Sequence, residues 1–295
     1  MPELPEVETV RRDLIKYLVG RRFFSTKIYD FKNVAPGAAF LARYLKGAKV
    51  LGLRRRGKLL IIDLDKEGNR DRHLLIHLKM TGQLVYRQGK DIKAGGHSLG
   101  GTSISEMTGG FLPNKHTRAV FAFEGGAYLY FNDLRKFGYI KLSTDEELEK
   151  IISAGYGPEP GEKEFSVSYL SSILKRKAPV KAVILNQKLI AGLGNIYADE
   201  SLFAAKIDPS RSASSLKDGE IRELHRAIVN IIRKAVKARG TTFRNYVDAF
   251  GKKGKFSSFL NVYQRSGQKC PRCGRKILKK RVAGRGTHYC AHCQR

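Results

Sequence analysis

The sequence predicts an α+β protein: a strand-rich N-terminal half entered through one helix, a helical region after it, and a metal-binding β-hairpin at the end. Three observations predict this. Val7, Val10, Leu14 and Leu18 recur at helical spacing near the start. Short apolar runs at 59–64, 74–78, 120–123 and 128–131 then replace that period with the texture of strands. All four cysteines fall in the last 26 residues, as two Cys-x-x-Cys pairs.

Each element has its local reason. Pro5 stands where a helix start tolerates proline, so the chain enters its first helix almost at once. The last two apolar runs flank Glu124-Gly125-Gly126, a hairpin signal, and a two-sheet or barrel-like β region is the natural reading of this half. Residues 93–110, KAGGHSLGGTSISEMTGG, read as a long mobile loop. Its glycines lack the spacing and the strand-to-helix setting of a nucleotide-binding loop. A second break at 153–165, with glycines and two prolines, marks a domain boundary. Beyond it, 180–189 is apolar and periodic, Gly192-Leu193-Gly194 interrupts it, and Asn195 is placed to cap the next helix. Ile221, Leu224, Ile228, Ile231 and Ala235 predict the apolar stripe of a longer helix that ends near Gly240. Residues 240–259 read as a second long loop, with aromatics among cations, and no internal repeat is present.

Composition narrows the function. Among 295 residues, 56 Lys and Arg oppose 27 Asp and Glu, a formal charge of +29 that points to a polyanionic partner. The length suits roughly two domains. With 42% hydrophobic residues the chain can bury real cores, which excludes a disordered, histone-like tail. No stretch approaches the roughly 20 apolar residues of a membrane span. The opening MPELPEVETV is acidic where a signal peptide is basic, so a soluble, cytosolic protein is expected.

In a reducing compartment clustered cysteines argue for metal rather than disulfides. Cys270, Cys273, Cys290 and Cys293, split by sixteen residues, fit a four-thiolate tetrahedral zinc site. Four protein thiolates leave no open position, so the ion is structural, and His288 and His292 are not needed as ligands. The intervening segment predicts a β-hairpin carrying Lys276, Lys279, Lys280, Arg281 and Arg285, suited to phosphate contacts. The glycine turn before Asn195 has a helix-turn-helix look, and a helix start there offers backbone N–H groups to an anion. A glycine turn and an Asn cap are equally ordinary structural punctuation.

At the N-terminus, removal of Met1 before the small Pro2 leaves a secondary amine, and the positive end of the helix favours its neutral form. Such an amine attacks an aldehyde-level carbon and gives an iminium directly, with Glu3 beside it as general acid or base. The same residues also serve simply to start and charge-stabilise a helix.

PELPEVETV, Gly57-Lys58, HLKMTG at 77–82, NDLRKFG at 132–138, GPEP at 157–160, GLGNIYADESLF at 192–203 and the terminal finger occur in one order along the chain. In this, essentially the whole sequence resembles the bacterial formamidopyrimidine-DNA glycosylases. The resemblance implies an N-terminal β-sandwich with a leading helix, a helix-two-turn-helix module and a zinc finger, with damaged double-stranded DNA in the cleft between the domains. The divisions expected are a catalytic sandwich at 1–152, a linker at 153–164, a helical DNA-binding domain with a lesion-capping loop at 165–262, and the finger at 263–295.

What the resemblance implies for chemistry is excision of oxidised purines, such as 8-oxoguanine and formamidopyrimidines, followed by strand cleavage through β,δ-elimination. Pro2 attacks the sugar, Glu3 donates the proton there, Lys58 transfers protons in β-elimination, and Arg285 serves δ-elimination and the flanking phosphates. Met80, Arg135 and Phe137 match the three side chains that fill the void left by an extruded base. His116, Lys177 and Asn195 match DNA contacts, and Lys181 lies near the lesion-side strand. The loop at 240–259 matches the segment that caps the everted purine. Zinc is the one cofactor implied, without a redox group or nucleotide, and a cytoplasmic monomer found at the nucleoid when bound to DNA is expected.

Two other readings compete. A sister enzyme resembling endonuclease VIII excises oxidised pyrimidines with the same proline, but Leu4 and the Met80, Arg135 and Phe137 set speak against it. A non-catalytic basic zinc-finger protein explains the charge and the cysteines yet leaves Pro2, Glu3 and Lys58 without a role. The 93–110 loop is longer and richer in glycine than the family pattern, and Lys79 and the LRKFG form of the wedge motif depart from it.

Overall fold

The computed structural model describes residues 2–98, 106, 108–241, 246–247 and 254–295. The chain divides into two compact units: Met1–Ile152 with Ala238–Lys255, and Ser153–Lys237 with Phe256–Arg295.

The first unit is a two-sheet β structure with a leading helix. Helix α1 spans Leu4–Leu18, with Pro5 in its first turn and Val7, Val10, Leu14 and Leu18 all buried. One sheet has the order β1 (Phe23–Ile28), β8 (Thr117–Phe123), β9 (Ala127–Asp133), β6 (Gly82–Gln88), β7 (Asp91–His97) and β11 (Tyr246–Val247). The other runs β2 (Val34–Ala35), β10 (Tyr139–Thr144), β5 (Asn69–His77), β4 (Leu59–Lys66) and β3 (Lys49–Arg56). Alternation of side chains puts Leu60, Ile62, Leu74, Ile76, Ile140 and Leu142 of one sheet into a shared core with Leu84, Phe121, Leu129 and Phe131 of the other. Helices α1 and α2 (Ala38–Leu45) add Val10, Leu14, Leu41 and Leu45 to the same core. The expected hairpin joins β8 to β9, with Phe123 opposite Ala127 and both Gly125 and Gly126 at positive φ.

Several elements depart from the sequence reading. Residues 93–97, expected in a mobile loop, belong to β7 and pair with β6. Gly96 is there for close approach: it has φ +122, and a Cβ on it would lie 2.6 Å from the Gly82 carbonyl oxygen. Residues 99–105 and 107 of that segment lie outside the described residues. Strands β1 and β10, helix α2 and helix α3 (Asp145–Gly155) carry no strong periodic run and were not expected.

The second unit is helical until its last hairpin. Helix α4 (Val167–Leu174) is capped by Ser166, whose hydroxyl accepts from the Tyr169 N–H at 3.1 Å. Helices α5 (Val180–Leu185), α6 (Asn195–Ala204) and α7 (Asp218–Lys237) follow. Helix α7 buries Ile221, Leu224, Ile228, Ile232 and Ala235; the stripe runs through Ile232, and Ile231 is only half-buried. The unit ends in the hairpin β12 (Leu278–Val282) and β13 (Arg285–Tyr289), with Val282 opposite Arg285. Its two-residue turn, Ala283-Gly284, holds both residues at positive φ, as a type I′ turn requires. Of the expected 240–259 loop, 242–245 and 248–253 lie outside the described residues, Tyr246–Val247 pairs with β7, and Phe256–Phe259 forms a 3₁₀ turn. Among the described residues no helix is long and apolar enough to cross a membrane.

Candidate active site and nucleic-acid interface

Pro2 and Glu3 are both buried at the head of α1. Glu3 is the N-cap, and its N–H donates to Glu6 Oε2 at 2.8 Å in a capping box. The other Glu6 oxygen accepts the Thr241 N–H at 2.7 Å. The helix start is therefore held from two directions, which fixes Glu3 and the first turn of α1.

Lys58 occupies the two-residue turn between β3 and β4, after Gly57 at φ +55, rather than a place within a strand. It is only 4% exposed. That turn is tied to α1 through one side chain: Arg55 Nη1 donates to the Gly57 carbonyl at 2.9 Å, and its Nε pairs with Glu8 at 3.1 Å. Glu8 also receives Arg11 and Arg12 at 2.9 and 2.6 Å. Burial alone would raise its pKa, but the hydrogen bonds from Arg11 and Arg12 and the nearby Arg55 charge outweigh that and hold it at about 2.

His77, which the sequence reading passed over within HLKMTG, ends β5 opposite Leu59 and Tyr139. Burial, with the charges of Lys79 and Lys58, pushes its pKa down to about 3, so the ring is neutral. Its Nδ1 accepts the Lys79 N–H at 2.9 Å.

His116 and Arg135 are both bound through their backbone to Asp133, the last residue of β9, while Met80 and Phe137 are chain neighbours of Thr81 and Gly138, which bind its carboxylate. Met80 and Phe137 are exposed apolar side chains, Phe137 at 51%, and not the core residues that strand ends commonly provide. The Arg135 guanidinium lies over the Phe137 ring, 4.5 Å from its centroid. His116 is half-buried, and burial with the charges of Lys115 and Arg118 lowers its pKa.

In the second unit Lys177 is exposed after α4, whereas Lys181 differs from its expected role as a DNA contact. Its exposure is 0%, its ammonium pairs with the equally buried Asp199 at 2.6 Å, and it donates to Thr287 Oγ1 at 2.8 Å. Contact with a phosphate would break that buried pair. Asn195 does not cap its helix either: Gly194 is the N-cap, and Asn195 Nδ2 donates to the Gly286 carbonyl at 2.9 Å. Asp199 accepts the His288 N–H at 2.8 Å. Lys181, Asn195 and Asp199 thus fasten β13 beside Arg285, whose own side chain is exposed at the hairpin turn. Lys280, one of the hairpin cations, pairs with Asp208 at 2.8 Å.

The four cysteine sulfurs lie within 4.8 Å of one another, with Cys270 to Cys293 at 4.0 Å and Cys273 to Cys290 at 3.5 Å. A tetrahedron with Zn–S of about 2.3 Å sets sulfurs about 3.8 Å apart, so this donor set forms a site for one zinc ion. His288 is taken by Asp199 and His292 stands outside the cluster. The start of the finger is anchored by Glu200, whose buried carboxylate accepts the N–H groups of Asn261, Val262 and Tyr263 at 2.9 Å each.

A two-sheet β unit headed by a buried Pro-Glu pair, with a helical unit that ends in a four-thiolate hairpin, defines a zinc-finger protein. Comparison with known proteins makes this specific. The formamidopyrimidine-DNA glycosylase N-terminal domain matches residues 1–140, the H2TH domain of the same proteins 156–247, and the zinc finger found in FPG and IleRS 267–295. A formamidopyrimidine-DNA glycosylase of Pelotomaculum thermopropionicum is 40% identical, covering 100% of this chain and 99% of its own. The Lactococcus lactis Fpg protein in complex with a DNA containing N7-benzyl-Fapy-dG is 35% identical, with a TM-score of 0.86 and full coverage of both chains. Its complex with abasic-site DNA gives 36%, 0.86 and 99% of each. The chain belongs to the formamidopyrimidine-DNA glycosylase family.

Proposed function

We propose that this chain is a bifunctional DNA glycosylase and abasic-site lyase of base excision repair, acting as a monomer on oxidised purines in double-stranded DNA. The observation that carries the reading is the burial of Pro2 and Glu3 together at the head of α1 in a chain of this family. With Met1 removed, the Pro2 amine attacks the anomeric carbon of the extruded nucleotide, the bond to the base breaks, and the sugar opens to an iminium on Pro2. Glu3 donates the proton at the sugar oxygen as the ring opens. Lys58, withdrawn from solvent in its turn, moves the proton of β-elimination, and Arg285 serves δ-elimination and binds the flanking phosphates.

Met80, Arg135 and Phe137 enter the duplex where the base has left, while His116, Lys177 and Asn195 contact the strand. Lys181 acts on DNA only through the hairpin it supports. Zinc supplies no step; bound by the four thiolates, it holds the finger's shape. The catalytic sandwich at 1–152, linker at 153–164, helical domain at 165–262 and finger at 263–295 follow the order of the three family spans. Within that division 238–255 packs as part of the first unit. The place of action is the cytoplasm, at the nucleoid.

Borohydride trapping on duplex DNA containing 8-oxoguanine tests the reading. A covalent adduct that disappears in Pro2→Gly is expected. Salt-sensitive binding without any adduct overturns it in favour of a non-catalytic zinc-finger protein, and an adduct only on oxidised pyrimidines moves it to the endonuclease VIII branch.

A further inference from the structure

Asp133 has no solvent exposure, yet it binds the backbone of His116 and Arg135 and the Thr81 that follows Met80. Its N–H donates to the His116 carbonyl at 2.9 Å, and its own carbonyl accepts Arg118 Nε at 2.8 Å. The carboxylate serves the other side. Oδ1 accepts the Thr81 hydroxyl and the Arg135 N–H, the latter at 3.2 Å, and Oδ2 accepts the Gly138 N–H at 2.7 Å. Thr81 Oγ1 in turn accepts the Arg135 N–H at 3.0 Å.

Residues 135–138 therefore close over one carboxylate, with their first and last N–H groups, those of Arg135 and Gly138, bound to different oxygens. Gly138 fits because nothing larger would: a Cβ there would lie 2.7 Å from Phe131 Cζ and 3.0 Å from Asp133 Oδ2. Thr81 carries the same carboxylate to the segment that presents Met80.

We propose that Asp133 is the positioning residue of the void-filling set, and that Thr81 is the link by which Met80 on one turn and Arg135 with Phe137 on another keep a fixed spacing. The inference rests on the reading of those three side chains as the ones that enter the duplex. A buried carboxylate that accepts at both oxygens, out of reach of competing water, keeps the turn formed while Phe137 and Arg135 are pressed between bases. In Asp133→Asn the amide nitrogen must face one of the N–H donors or the hydroxyl, which breaks one arm of the turn. Thr81→Val keeps the shape of residue 81 and removes only the link.

The test uses the zinc-loaded full chain. A duplex with a non-cleavable abasic analogue and 2-aminopurine beside the orphaned base reports wedge insertion as a rise in fluorescence. Both Asp133→Asn and Thr81→Val are expected to lose at least about half of that rise, to cut 8-oxoguanine excision from duplex about tenfold, equivalent to about 1.4 kcal/mol, and to narrow the preference for cytosine over adenine opposite the lesion. Cleavage of a single-stranded abasic oligonucleotide, which leaves no void to fill, stays within about twofold of wild type. Thr81→Ser, which keeps the hydroxyl, restores the fluorescence change.

Full fluorescence and an unchanged opposite-base preference in Thr81→Val overturn the proposal, and so does an equal fall in duplex and single-stranded cleavage. Should Asp133→Asn fail to fold, Thr81→Val decides alone. Phe137→Ala separates the two ideas: if it leaves the fluorescence rise intact, the void-filling reading itself has failed, independently of Asp133.

Discussion

Replacing Lys181 with methionine removes a charge from a place where water cannot enter. The lysine and Asp199 are both 0% exposed and 2.6 Å apart, and breaking a buried pair by deleting one partner typically costs about 3–5 kcal/mol. Here the His288 N–H at 2.8 Å and ring nitrogen at 3.3 Å both meet Oδ2 and leave Oδ1, the oxygen that Lys181 holds, without the ammonium, so the cost is at least the lower end of that range. The Gly286 carbonyl keeps Asn195 Nδ2 at 2.9 Å. Lys181→Met should therefore lower the unfolding free energy by about 3 kcal/mol or more, read by urea denaturation of the zinc-loaded chain. The double variant Lys181→Met with Asp199→Asn should recover part of this, because the orphaned charge is gone. DNA binding should weaken without a change in its salt slope. A stability change within about 0.5 kcal/mol, together with a fall of about 1 in the slope of log K against log salt, would show that Lys181 touches a phosphate and refute the argument.

Glu8 makes the first unit sensitive to acid. Its folded pKa, about 2, lies below the unfolded value of 4.5, so its contribution is complete above 4.5 and fades as pH falls toward 2. Glu8→Gln should remove a few kcal/mol at neutral pH and flatten the acid limb of the stability curve; an unchanged limb in an equilibrium pH titration contradicts the assignment. Stripping zinc with a chelator should abolish strand incision and weaken DNA binding while the aromatic near-ultraviolet signal of the sandwich persists, because the thiolate site and the core of the first unit share no residues. Full incision by protein shown by metal analysis to hold no zinc would refute a structural role for the ion.

What was legible in the sequence is what acts locally or repeats. The α1 stripe, the β8–β9 hairpin and the finger each announce themselves through period, turn residues or ligand spacing. The cysteine cluster was visible from its ligand spacing, and Pro2, Glu3 and Lys58 stood out as candidates because they sit in ordered motifs. Lys181 was placed near the DNA by the resemblance alone; only tertiary structure brings Asp199 to it. Asp133 and Thr81 stood inside the quoted motifs, yet their meeting spans 52 residues of chain, which no local pattern expresses. The glycines of 93–97 read as looseness although Gly96 lets β7 approach β6 closely, since a missing side chain signals both.

The segment Ala238–Lys255 bears on the order in which the molecule is made. It belongs to the first unit but leaves the ribosome only after helix α7, and it supplies the Thr241 N–H to Glu6 and the Arg239 guanidinium that meets Asp13 at 2.6 Å. During synthesis the sandwich can collapse around its core early, while the head of α1, with Pro2 and Glu3, gains these partners only after most of the second unit's helices have been translated. A nascent chain halted before Thr241 thus carries Pro2 and Glu3 without this part of their frame, and the head of α1 is completed by a segment made more than two hundred residues later.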